Sequence, residues 1–164
     1  MVILFSIATI VLMVIGKGIS YPMLLKQPSM DFIEAEVQYT TSQAEKTAIL
    51  IRNVLHRLPQ SPQYEIHRSA LKQLLQNAND FQKPGPCHDK MSTFSKSWTS
   101  VMVAYLRPNS APEYREILKL LEEYGLKDMM VEAKIFLAGI VSGRIGVPVE
   151  EGSAAYSEFL KMQC

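Results

Sequence analysis

Beyond about residue 20, apolar residues recur every third or fourth position along almost the whole chain, the spacing of amphipathic helices rather than the strict alternation of strands. A first segment after Ser29 holds Phe32, Ile33 and Val37, and a clearer run places Thr47, Leu50, Ile51, Val54, Leu55 and Leu58 on one face. Ser42 with Glu45 has the S-x-x-E form of a capping box. Tyr39-Thr40-Thr41 is a weak helix former, so residues 30–58 read as one long helix or as two. Pro59 ends the run, and Ser61-Pro62 supplies an N-cap followed by proline in the first turn. The next stripe is Ile66, Ala70, Leu71, Leu74, Leu75 and Ala78.

Lys83-Pro84-Gly85-Pro86-Cys87 then breaks the chain. Met91, Phe94, Trp98, Val101, Met102 and Tyr105 form a further stripe, closed by Arg107-Pro108-Asn109. Ser110-Ala111-Pro112-Glu113 is a capping box with proline, opening a helix with Tyr114, Ile117, Leu118, Leu121 and Tyr124 inside. Gly125 is placed to take the left-handed conformation beyond that helix, with Leu126 as the accompanying hydrophobic contact. A helix from about Lys127 carries Met130, Ala133, Phe136, Leu137, Ile140 and Val141, and Gly146-Val147-Pro148 stops it. Ser153 caps a last short helix with Tyr156, Phe159 and Leu160. No segment reads as a strand. The pattern predicts an all-α fold, a single compact domain of five to six amphipathic helices.

The N-terminus changes the picture. Residues 1–16 are apolar apart from Ser6 and Thr9, Lys17 follows, and Gly18 and Ser20 sit at the −3 and −1 positions of a cut before Tyr21. An apolar core of about 14 residues has signal-peptide length and falls short of the ~20 that a membrane span needs. The expected organisation is a signal peptide over 1–20 and a secreted, extracellular helical domain over 21–164, with no membrane span in the mature chain. Export would remove Lys17 and no acid, leaving 16 cations against 16 anions. A neutral chain gives no electrostatic case for nucleic acid or an anionic membrane. Export also decides the reading of Cys87 and Cys164, the two cysteines. An oxidising compartment favours one intrachain disulfide, against a free or intermolecular thiol.

Catalytic and metal chemistry find no footing. His56, His67 and His88 lack the ligand spacing of a zinc site and read as surface or half-buried side chains. No G-x-S-x-G nucleophile motif occurs, and a disulfide-bonded Cys87 is no thiolate. Glu122-Glu123 and Glu150-Glu151 read as solvated charges, and Gly139 with Gly143 as a site of close helix–helix approach. The expectation is a protein that is not an enzyme, with no cofactor and no metal.

From Pro112-Glu113-Tyr114-Arg115-Glu116 through Tyr124-Gly125-Leu126, the chain resembles the insect allergen-related repeat family in its Pro-Glu-Tyr start, leucine-rich helix and Gly-Leu close. Ser61-Pro62-Gln63-Tyr64 is similar to that family's Ser-Pro-x-Phe element, and Gly146-Val147-Pro148 to its closing Gly-Leu-Pro. The longer helix after Gly125, the Pro-Gly-Pro-Cys insertion and the final cysteine depart from the pattern. The resemblance implies a helical capsule enclosing fatty acids or other lipids.

Two functions follow as expectations. The first is a secreted carrier of an apolar small molecule or lipid, with Trp98, Met102, Tyr105, Phe136, Leu137 and Ile140 as candidate lining residues and methionines softening the wall. The second is a cytokine-like bundle that acts on an extracellular protein partner through Tyr39, Arg52, Arg57 and Arg68.

Overall fold

The computed structural model describes residues 30–145 and 150–164; the expected signal peptide, Ser29 and Gly146-Val147-Pro148 lie outside them. Six helices occur among the described residues: α1 (Met30–Arg57), α2 (Glu65–Phe81), α3 (Cys87–Leu106), α4 (Pro112–Glu123), α5 (Leu126–Val141) and α6 (Ala154–Lys161). A 3-10 turn over Pro62–Tyr64 precedes α2. No strand forms among these residues. An antiparallel bridge joins Pro86 to Gln163.

The region from 30 to 57 is one 28-residue helix. Ser42 starts nothing, and Thr41 stays helical by donating its hydroxyl to the Val37 carbonyl at 2.8 Å. Packing overrides the weak local propensity, because α1 contacts α2, α3, α4 and α5. α1 and α2 run antiparallel, tied by Arg52 to Asn79 at 2.8 Å and by Arg68 to the Pro59 carbonyl at 2.8 Å. α3 returns against α2, with Phe81 and Phe94 edge to face at 5.9 Å between centroids. α4 spans the end of this hairpin pair, and α5 runs back along α1.

Most of the apolar stripes face inward, and α3 follows its expectation at every position from Met91 to Tyr105. α2 departs from expectation. Ile66 is 76% exposed and Ala70 is exposed, while His67 and Arg68 are buried in their place. The helix takes its phase from Leu71, Leu74 and Ala78, and that phase turns His67 and Arg68 inward, where His67 bonds Tyr105 and one guanidinium NH2 of Arg68 bonds the Pro59 carbonyl, while Arg68 Nε is left without a hydrogen-bond partner. His67 is therefore buried, not the surface or half-buried residue expected. Leu160 on α6 likewise faces solvent, and Phe159 anchors that helix.

Helix ends show the same mixture. Ser153 caps α6, accepting from the Tyr156 amide at 3.1 Å. Gly125 has φ 121°, a conformation closed to other residues, and lets α5 start at once with buried Leu126. The Ser110 box does not form. Ala111 is the N-cap of α4, and Asn109 turns the chain by accepting the Ala111 amide at 2.9 Å. α5 ends at Val141 rather than at Gly146. Gly139 is buried as a close-approach site, but against the returning chain rather than a helix: an added Cβ would come within 2.9 Å of Ile145 Cγ1.

Cys87 and Cys164 form a disulfide with a Cα–Cα distance of 5.1 Å. Backbone bonds flank it, from Cys164 N to Gly85 O at 2.9 Å and from Cys87 N to Met162 O at 3.0 Å. His88 lies edge-on to Tyr156 and Phe159 beside it. The segment after α5 is thus fastened to the start of α3.

Candidate functional site

The six candidate lining residues come from α3 and α5, and all six are buried within one continuous core. Tyr105 donates to or accepts from His67 Nδ1 at 2.8 Å, and its burial beside Tyr114 holds the phenol well above its usual pKa. Phe136 stacks flat on Tyr39, with centroids 4.2 Å apart and planes 4° from parallel. Trp98 keeps its indole N–H buried without a hydrogen-bond partner. These side chains are occupied with one another and with their neighbours.

The four candidate contact residues are engaged too. Tyr39 is in that stack, Arg52 bonds Asn79, and Arg57 bonds the Tyr124 hydroxyl at 2.9 Å beside Glu123. Arg68 is buried against the Leu58 and Pro59 carbonyls. They form no free cluster among the described residues.

A polar stripe runs along the inner face of α1. Glu36, Thr40, Gln43 and Thr47 are all buried, at the i, i+4, i+7, i+11 positions of one side. Burial raises the Glu36 carboxyl to about 8, so it is mostly protonated at neutral pH. Gln43 donates to Glu132 of α5 at 2.9 Å, and Lys46 pairs with the same carboxylate at 2.6 Å. A second polar group, Tyr64, His67, Tyr105, Tyr114 and Glu116, closes the end where α2, α3 and α4 meet, with Tyr64 donating to Glu116.

An open concave feature lies elsewhere, between α2 and α3. A groove of about 460 Å3 is lined by Ala70, Gln73 and Asn77 on one side and Thr93, Lys96, Ser97, Ser100 and Val101 on the other. It runs into a second groove of about 180 Å3 through shared Asn77 and Thr93, ending at Asp80, Phe81, Asp89 and Lys90. Small residues, Ala70, Thr93, Ser97 and Ser100, make up much of its open lining. Its surface is mostly apolar, with the amides of Gln73 and Asn77, the hydroxyls of Thr93, Ser97 and Ser100 and the ammonium of Lys96 set along it. Lys96 enters none of the ion pairs among the described residues. At the far end Asp80 is held below the usual carboxylate range by Lys83 and then Gln76. None of the expected site residues lines the furrow. Thr93, Ser97 and Ser100 on α3 and Gln73 and Asn77 on α2 carry no motif, and only the pairing of the two helices brings them together.

Among the described residues no cluster of three or more His, Cys, Asp or Glu could hold a metal ion, and no helix is long and apolar enough to cross a membrane. Comparison of the chain with protein-family models, curated proteins and solved structures finds no match.

Proposed function

We propose that this chain is an exported helical-bundle effector that acts by contact with another protein, through the furrow between α2 and α3. The observation that supports the reading is the furrow's character, an open and mostly apolar surface with the hydroxyls of Thr93, Ser97 and Ser100 and the ammonium of Lys96 set along it. Such a surface suits a partner segment of mixed character: its apolar side chains meet Ala70 and Val101, its backbone meets the hydroxyls, and Lys96 meets a carboxylate. The disulfide is compatible with an oxidising compartment.

The rival reading is the carrier that the family resemblance implies. It requires Trp98, Met102, Tyr105, Phe136, Leu137 and Ile140 to part around a ligand, and none of them lines either open groove. Separating a packed core forfeits its dispersion contacts and apolar burial until the ligand replaces them. The bundle effector needs no such opening.

The test uses labelled protein exported from eukaryotic cells, applied to cells of its source tissue. Binding is expected to saturate, to vanish after protease treatment of the cells, and to weaken at least about tenfold in a Thr93→Arg/Ser97→Arg double variant that fills the furrow. Unchanged binding by that folded variant would remove the furrow from the account. Binding that survives protease treatment would remove the protein partner.

A further inference from the structure

Both walls of the furrow are helix stripes that continue past it. Ala70, Gln73 and Asn77 on α2 extend back one turn to Ile66, and Thr93, Ser97 and Ser100 on α3 extend on one turn to Ala104. Each stripe steps four, three and four residues, the spacing with which helices pack on helices. The bond from His67 to Tyr105 at one end and the contact of Phe81 with Phe94 at the other fix an antiparallel register. Ile66 and Ala104 therefore stand at the same end of the furrow. All of these stripe residues are exposed or half-buried, with Ile66 at 76%, and none is charged. Charged residues make up 20% of the chain, and a solvent-facing strip depleted of them has the character of an interface core. Lys96 is the one charged residue in the lining of the larger groove.

The lining favours one conformation in what covers it. From Ile66 to Phe81 the strip runs about 22 Å, which an extended chain covers with about seven residues. Each would bring an N–H and a C=O that must be paired. The mostly apolar lining offers the amides of Gln73 and Asn77 and the hydroxyls of Thr93, Ser97 and Ser100, too few to meet them, and each group left unpaired is costly. A helix of about four turns covers the same length with its backbone bonds made internally. Its larger side chains enter the gaps over Ala70, Ser97 and Ser100 as knobs enter holes. The hydroxyls and amides are left for its polar side chains and for the carbonyls of its last turn.

Charge sets the direction. Lys96 lies about 12 Å along α3 from Ala104 and enters none of the ion pairs among the described residues. At the far end the charges are already engaged, Asp80 with Lys83, Asp89 with His88, and Lys90 with the Lys83 and Cys164 carbonyls. We propose that the partner segment is an amphipathic α-helix of about four turns, an assignment that rests on reading the furrow as the site of protein contact. It seats between α2 and α3 with a large apolar side chain over Ile66 and Ala104 and a carboxylate, about two turns along, against Lys96.

The probes are two phage-displayed libraries, one of four-turn helices with a randomised face and one of linear peptides of the same length, selected against the exported, oxidised protein. Helices are expected to enrich over linear peptides, carrying a large apolar residue and an acid about seven positions apart. A synthesised winner should lose at least about tenfold in affinity against Ile66→Glu and against the Thr93→Arg/Ser97→Arg variant, both with unchanged helicity. Lys96→Glu should reverse its charge preference, so that the same helix with lysine in place of its acid binds better. Ile135→Glu, at an exposed apolar site on α5, should leave the affinity alone. A selection that yields no helix overturns the proposal. So does a helix whose affinity survives both Ile66→Glu and the double arginine variant, or one indifferent to Lys96→Glu. Furrow-dependent binding to cells alongside such a failure would leave the furrow as a protein-contact site and remove only the helix.

Discussion

α1 is held by two seams of different chemistry. Its second half meets the rest of the bundle through Leu50, Ile51 and Val54, all buried and apolar. Its first half turns Glu36, Thr40 and Gln43 inward, and its link to α5 is an aromatic stack with a shared carboxylate. The apolar seam is stabilised by each methylene it removes from water, at about 0.8 kcal/mol apiece. The polar seam gains little net energy from its hydrogen bonds and constrains geometry more than it stabilises. The contrast teaches that α5 is an addition to a hairpin core. It is held at its start by the Gly125 turn, and beyond its end by the disulfide that pins the following segment to α3.

The largest way to break this arrangement is to cut that pin. Reducing the disulfide releases a loop closed over a separation of 77 residues, which should cost roughly 4 kcal/mol in the chain-entropy account. Amide exchange should then rise first in α5 and α6 and last in α1 and α2. Next comes the apolar seam itself. Ile51→Ala empties a fully buried site and should cost about 3 kcal/mol of unfolding free energy in urea melts.

The polar seam answers to pH. Glu36 is 4% exposed, its carboxyl pKa is raised to about 8, and it enters none of the ion pairs among the described residues. The unfolded chain gives up this proton above its ordinary pKa of 4.5, and the folded chain keeps it until about 8. Stability attributable to Glu36 therefore falls as pH rises through that window, by about 1.4 kcal/mol per pH unit and by about 2 to 3 kcal/mol from pH 5 to 7. Glu36→Gln should remove this slope, which melts of both proteins at several pH values would show. The smallest effect belongs to Lys46→Met. Its ion pair with Glu132 leaves both side chains about 40% exposed, so the loss should stay within a few tenths of a kcal/mol and shrink further in salt.

The sequence pattern reaches far in some places and stops short in others, for physical reasons. Met91 to Tyr105 is legible because every core position on that stripe is large and apolar. Gly125 and Ser153 are legible because their conformations restrict which residues can serve. The exchange of Ile66 for His67 and Arg68 was hidden, since the groups that bond the buried pair, Tyr105 and the Pro59 carbonyl, are distant in sequence or belong to backbone. The inward turn of Glu36 was hidden likewise, because a carboxyl kept neutral by burial reads as a surface charge. The furrow was invisible, because its lining comes from residues on two helices that only the fold aligns.

The central claim is that this protein acts from its surface and keeps its interior filled. Native mass spectrometry of residues 21–164, purified without detergent and offered a panel of fatty acids and phospholipids, tests it most directly. The account expects the bare chain with its disulfide intact, and no stoichiometric lipid adduct. A fatty acid or other lipid that travels with the folded protein and is released on denaturation would contradict it, and would place Trp98, Met102 and Phe136 around a ligand after all.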